Sequence, residues 1–314
     1  MLFNETSSKS TEELNFFGRI LMTIIFACIC ILGVIGNLIV LILSIQKQTY
    51  RFVTNCYIIN LAITDLLFLM ISVPLTTYLG LKETWILAPF ISCRVHIYFA
   101  HILLQATCYT LATMSIDRYL YVISSHPRPK WRTPLNAFII CILIWIVSIV
   151  LAFPYTSLLY SSSISSENEK NFTHDCPISS SHLSIVSCFF PFSAYYILPL
   201  LIIALCYTKL CIYMKQMSKS LTKYRNSLVN CGSHLIRKRR RVTRTLFSLI
   251  CAFAVCWFPI HLLEFLNCGQ MLSTYYDQHS QLLDVIRIIA HALSYFNSCL
   301  NPVLYALYNR ESFT

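Results

Sequence analysis

The run ILMTIIFACICILGVIGNLIVLILS, residues 20–44, carries no charged side chain and exceeds the roughly 20 apolar residues needed to cross a bilayer core. A run of that length reads as a membrane-spanning helix. Working outward from it, seven such stretches cover residues 17–44, 56–80, 94–122, 137–155, 184–214, 242–267 and 282–308. Short polar segments separate them, and little sequence remains for a soluble domain. Closed β-barrels also satisfy the backbone in lipid. They read, however, as alternating segments of about ten residues, which these continuous runs do not resemble. The expected fold is all-α, a seven-transmembrane helix bundle over 17–308, with an outer segment 1–16 and a short tail 309–314.

Composition points the same way. Of 314 residues, 56% are hydrophobic and 12% charged, where a soluble domain has roughly a quarter charged residues. The net charge of +11 is unevenly spread. With the N-terminus outside, 18 Lys and Arg residues face the cytoplasm against two acids, Asp117 and Glu311. Six cations and ten acids lie outside, and Asp65 falls within the membrane. Cytoplasmic loops carry such an excess of cations, so the basic balance reflects topology and anionic inner-leaflet lipid rather than nucleic acid. The expectation is a multi-pass plasma-membrane protein with an extracellular N-terminus and a cytoplasmic C-terminus. Residues 1–13 are polar and acidic where a signal peptide needs a positive n-region, so the first span is expected to act as the signal anchor.

Two glycosylation sequons, at Asn4 and Asn171, both fall on the outer side. Most of the fifteen cysteines lie in apolar runs as small hydrophobes. Cys93 opens the third span and Cys176 sits in the loop after the fourth, both on the oxidising side, where a disulfide persists. They are expected to be bridged. Cys188 and Cys268, at the outer ends of the fifth and sixth spans, are expected to be free thiols rather than a second bridge.

Polar groups inside the spans carry the functional signal. A charge at mid-bilayer costs about 2.5–3.5 kcal/mol on insertion scales, so it normally faces the bundle interior. Asp65 closes the stretch Asn60-Leu61-Ala62-Ile63-Thr64-Asp65. It reads either as a neutral acid bonded to neighbouring helices or as an interior cation site. Thr107, Asn297, Ser298 and Asn301 offer oxygens at similar depth, and hard oxygen ligands suit Na⁺ or a proton. No other cofactor is expected.

The sixth span places Phe253, Trp257, His261 and Glu264 on one stripe, with Pro259 kinking the helix. The seventh carries Arg287, His291, Ser294, Tyr295, Ser298, Asn301 and Tyr305, with Pro302 among them. The third adds His101, Gln105, Cys108, Ser115 and Arg118. Any one of these also fits ordinary interhelical hydrogen bonding. Together they describe a polar outer cavity above a kinked aromatic floor. The histidines lie on different helices without ligand spacing, so no metal centre is expected. The absence of matching broken halves argues against a transporter, and the absence of clustered His and Asp against a membrane hydrolase. The run Arg237-Lys238-Arg239-Arg240-Arg241 is a topogenic anchor and a candidate contact for a cytoplasmic partner.

These residues resemble the rhodopsin-like G-protein-coupled receptor family along the whole chain. The likeness rests on Gly36-Asn37, on Leu61-Ala62 with Asp65, on Asp117-Arg118-Tyr119, and on Trp145. It continues through Pro199 and Tyr207, Phe253 with Cys256-Trp257 and Pro259, and Asn301-Pro302 with Tyr305. The resemblance implies that Arg118, restrained at rest by Asp117, is the inner switch that meets a heterotrimeric G protein. It implies that Trp257 and Phe253, packed against Pro199 and Cys108, pass ligand occupancy to an outward swing of the sixth helix. Tyr207 and Tyr305 would close behind Arg118.

Ala100 stands where amine receptors carry an Asp, and Tyr295 where opsins carry the Schiff-base Lys. Both departures argue for another ligand. The stretches Arg132-Thr133-Pro134, Pro154-Tyr155, Arg241-Val242-Thr243-Arg244 and Ala290-His291 with Ser294-Tyr295 are similar to galanin-type and allatostatin-A-type peptide receptors, in part also to kisspeptin receptors. Opioid and somatostatin receptors share Pro259-Ile260-His261. A peptide is therefore expected to touch His101, Gln105, His261, Glu264, Arg287, His291 and Tyr295, with a lipid or nucleotide as the rival ligand class. Ser125 replaces the usual Pro of the second inner loop, with Pro127 two residues later. Arrestin, a further partner the resemblance implies, would find no phosphorylation cluster in 309–314.

Overall fold

The structure, a computed structural model, describes residues 2–82, 89–123, 130–165, 189–223, 231–268 and 273–308. Seven helical rods follow in chain order. α1 spans Leu2–Gln46. α2 runs Val53–Leu67, widens into a π turn at Phe68–Ser72, and continues as Val73–Lys82. α3 is Pro89–Ile123 and α4 is Pro134–Ser165. α5 passes through a π turn at Phe192–Ile197 into Leu198–Lys223. α6 is Cys231–Cys268 and α7 is Ser273–Tyr308.

α3 touches α2, α4, α5 and α6, and α7 packs against α6, α1 and α2, which closes the bundle. Among the described residues, six stretches are long and apolar enough to cross a membrane: Gly18–Gln46, Val53–Tyr78, Val95–Ile123, Pro134–Pro154, Phe189–Gln216 and Phe247–Leu266. α7 completes the set, its hydropathy diluted by its own polar stripe. Several helices outrun the apolar segments, α6 by starting at Cys231 rather than near 242 and α7 at Ser273 rather than near 282. Hydropathy marks only the part that needs hydrocarbon. A helix satisfies its own backbone and can continue into water.

The distribution of polarity is that of a bundle in lipid. Ile31, Leu32, Ile35 and Ile42 of α1 face outward, while Phe26 and Asn37 of the same helix are buried. Asn60, Thr64, Asp65, Thr107, Thr110, Asn297, Ser298 and Asn301 are all buried at the centre. Water would favour the reverse arrangement.

Prolines shape the rods. Each π turn lies just before a proline, Pro74 in α2 and Pro199 in α5. A proline has no N–H and its ring pushes away the carbonyl four residues earlier. The helix absorbs this with a wide turn, in which the Val73 N–H reaches back to Phe68 and that of Leu198 to Ser193. In α4, Pro154 loosens the preceding carbonyls. Tyr98 of α3 donates to the Ile149 carbonyl at 2.9 Å and Tyr195 of α5 to that of Leu151 at 3.0 Å.

Two small groups let α1 meet α7. A Cβ at Gly36 would stand 3.0 Å from Pro302 Cγ, so glycine permits the approach of that ring. Asn37 donates to the carbonyls of Gly33 at 2.9 Å and Ser298 at 3.0 Å. α2, α3 and α4 are joined by a second chain: Trp145 Nε1 donates to Asn60 Oδ1 at 2.9 Å, and Asn60 Nδ2 to Thr110 Oγ1 at 2.7 Å.

Candidate functional site

At the outer end, as the charge bias orients the chain, the three stripes converge. His261 of α6 is buried and places Nδ1 3.6 Å from Glu264 Oε2, while its Nε2 has no partner among the described residues. Glu264 is half-exposed. Gln105 of α3 is fully buried; its Nε2 donates to the Tyr109 hydroxyl at 3.0 Å and its Oε1 meets no donor among the described residues. The His101 ring packs 5.6 Å from Tyr195, and His291 5.8 Å from Tyr295.

Below this chamber is a continuous layer of rings. Trp257 stands 5.5 Å from Phe68, 5.8 Å from His261 and 6.1 Å from Phe253. Tyr295 packs 5.1 Å from Phe26 and 5.5 Å from Phe68. Tyr196 links His261 at 5.0 Å with Phe253 at 6.2 Å and donates its hydroxyl to the Ala254 carbonyl at 2.7 Å. The ring contacts that define the floor therefore run through Tyr196 and Phe68. Pro199 and Cys108, expected as the packing partners, are both buried.

Under the floor, Asn301 Nδ2 donates to Asp65 Oδ2 at 2.6 Å. Thr107 Oγ1 lies 3.3 Å from Thr64 Oγ1, and the Asn297 Oδ1 is buried without a partner among the described residues. At the inner end Asp117 is bound from outside its own helix. Both its carboxylate oxygens accept from Arg132, at 2.9 Å each, and Arg118 donates instead to the Thr54 hydroxyl of α2. Consecutive residues on a helix point about 100° apart, so side chains at i and i+1 do not face each other. The Tyr207 and Tyr305 hydroxyls are buried nearby in the core without partners among the described residues.

With this geometry in place, comparison with known proteins is informative. The sequence model described as 7 transmembrane receptor (rhodopsin family) matches residues 36–305. The chain belongs to that family. The receptor is similar to galanin receptor 2b of Danio rerio, 30% identical over 298 residues, covering 93% of this chain and 72% of that protein. It resembles galanin receptor type 2 of Homo sapiens, 29% identical over 296 residues, 93% of this chain and 70% of that protein. The allatostatin-A receptor of Bombyx mori is 32% identical over 297 residues, 90% of this chain and 74% of that protein. It is a multi-pass membrane receptor and not an enzyme.

Of the expected ligand contacts, Gln105 and His261 are buried, His101 and His291 are partly buried, and Glu264 is exposed. Tyr295 is 3% exposed and packs on Phe26, Phe68 and His291. Arg287 is exposed on α7. The Cys93–Cys176 bridge, Asn171, Ser125 and Pro127 lie outside the described residues, as do the side chains of Asn4, Cys93 and the basic run 237–241. Four working residues of the receptor were missed: Phe68, Tyr196, Thr54 and Arg132. A signal existed for two of them. Tyr196 stands three residues before Pro199, and Arg132 opens one of the galanin-like stretches.

Proposed function

We propose that the receptor takes an extracellular peptide of the galanin or allatostatin-A kind and drives nucleotide exchange on a heterotrimeric G protein through Arg118. The observation that carries this reading is the half-exposed Glu264, 3.6 Å from Nδ1 of His261, whose ring stands 5.8 Å from Trp257. Such a carboxylate matches a cationic or amide end of a peptide. The ring layer couples the chamber to α6, whose kink at Pro259 can take two positions. A ligand shifts such a two-state element by its differential affinity for the states. The peptides for which these relatives are named are of the same class.

Asp65, Asn301, Ser298, Thr107 and Asn297 are the oxygens we assign to an allosteric Na⁺; the orphaned buried Asn297 Oδ1 fits a cation ligand. Bound there, Na⁺ would supply a counter-charge to Asp65 and favour one packing of α7. The outward apolar faces contact lipid, and arrestin is a further cytoplasmic partner in this reading. The test is exchange on a panel of purified G proteins, with galanin, allatostatin-A, a lipid panel and nucleotides offered in turn. Stimulation by a peptide supports the reading. Stimulation by a lipid or nucleotide alone, or by nothing, defeats it.

A further inference from the structure

The carbonyl of Leu69 lies inside the π turn of α2 and has lost both of its helical donors. In an α ladder it would accept the N–H of Val73, four residues on. That N–H reaches back to Phe68 instead. In the wider ladder of the turn the donor would be residue 74, a proline without an N–H. Leu69 is buried in the membrane-spanning part of α2, where no water takes the place of a missing donor.

α1 supplies one. The partly buried thiol of Cys30 donates to the Leu69 carbonyl at 3.3 Å. Three residues on, a Cβ at Gly33 would stand 2.5 Å from Leu69 Cδ1 and 3.0 Å from Cys299 Sγ, so glycine admits the turn against α1. Cys299 of α7 donates in its turn to the Ile29 carbonyl at 3.1 Å. One short stretch of α1 thus holds both neighbours, with the Cys30 thiol at the orphaned carbonyl.

We infer that Cys30 is a positioning residue for ligand binding: its thiol keeps the wide turn of α2 open and so sets the rotation of the helix beyond it. Without that donor, the Leu69 carbonyl is satisfied by taking back the Val73 N–H, which closes the turn. The wide turn holds one residue more than an α turn, and one residue is about 100° of rotation. Toward the inner side, α2 is anchored by the bonds of Asn60 to Thr110 and of Asp65 to Asn301, so Phe68 keeps its place in the floor. Closing the turn therefore swings the segment that follows Phe68 toward the outer side, beginning with the buried Ser72 and Val73. This inference rests on the peptide reading above.

The experiment measures competition binding of galanin and allatostatin-A to the receptor in nanodiscs, and exchange on purified G protein at saturating peptide. Cys30→Val keeps the volume and removes the donor, whereas Cys30→Ser keeps a donor on a smaller side chain. Cys30→Val should weaken peptide affinity about three- to tenfold, the span of interhelical hydrogen bonds in membranes. Its exchange at saturation should equal that of the parent, because the floor is undisturbed. Cys30→Ser should bind like the parent. Affinity lost in Cys30→Ser, or kept in Cys30→Val, shows that the thiol only fills space and overturns the inference.

Pro74→Ala gives residue 74 an N–H and makes the thiol dispensable, so adding Cys30→Val to it should cost no further affinity. Additive losses overturn the inference. If Pro74→Ala does not fold, the comparison of Cys30→Val with Cys30→Ser decides alone. A parent that binds neither peptide overturns the peptide reading and this inference together. A parent that binds, with Cys30→Val equal to it, overturns this inference only.

Discussion

The hydroxyl of Tyr196 donates to the carbonyl of Ala254 at 2.7 Å, tying the π turn of α5 to α6 just before its proline kink. Ala254 lies five residues before Pro259, in the stretch whose ladder the proline loosens. The same ring packs on Phe253 and His261. Tyr196 therefore touches both the chamber and the hinge.

Replacing Tyr196 by Phe removes the hydroxyl and leaves the ring. Interhelical hydrogen bonds in membranes average about 0.6 and reach about 1.7 kcal/mol, so thermal unfolding in detergent should show a loss in that range. Exchange without ligand should rise, because α6 is released from α5. Unchanged melting together with unchanged basal exchange would mean that this bond restrains nothing.

Glu264→Gln removes the charge at the mouth of the chamber and keeps its shape. Since the carboxylate is half-exposed, an ion pair to it is worth up to about 1 kcal/mol. Competition binding should then weaken about two- to fivefold for a peptide with a cationic end, and not for one without it. Equal losses for both peptides would remove Glu264 as a charge partner.

Asp65→Asn tests the cation site. In the parent, raising NaCl against a choline chloride control should lower agonist affinity. In the variant the salt response should disappear, because the carboxylate that neutralises Na⁺ is gone. A flat response in the parent rejects the site.

Gly36→Ala sets a methyl 3.0 Å from Cγ and 3.1 Å from Cβ of Pro302. A proline ring cannot turn aside, so α1 must move from α7. Overpacking of this kind costs about 1–3 kcal/mol, to be read as a lowered melting temperature. Melting equal to the parent would show that α1 shifts without penalty.

Much of the chamber could be read along single helices. Trp257, His261 and Glu264 repeat at helical spacing, and the structure places them on one face, as that spacing requires. Phe68 follows Leu61 and Thr64 at helical spacing on the same buried face, but an apolar residue in an apolar run carries no signal of its own. Tyr295 could be placed on its helix and its stripe. Its depth depends on Phe26 and Phe68, which come from other segments.

From the chain alone came the number of spans, the prolines that bend them and the order of the motifs that mark the family. Each is a property of one segment and its solvent, since apolar length and missing N–H groups act locally. Whether Asp117 binds Arg118 or Arg132 was decided only in the folded bundle. Neighbours on a helix diverge around its axis, and a carboxylate takes whichever guanidinium the packing of α2, α3 and the segment before α4 brings into its plane.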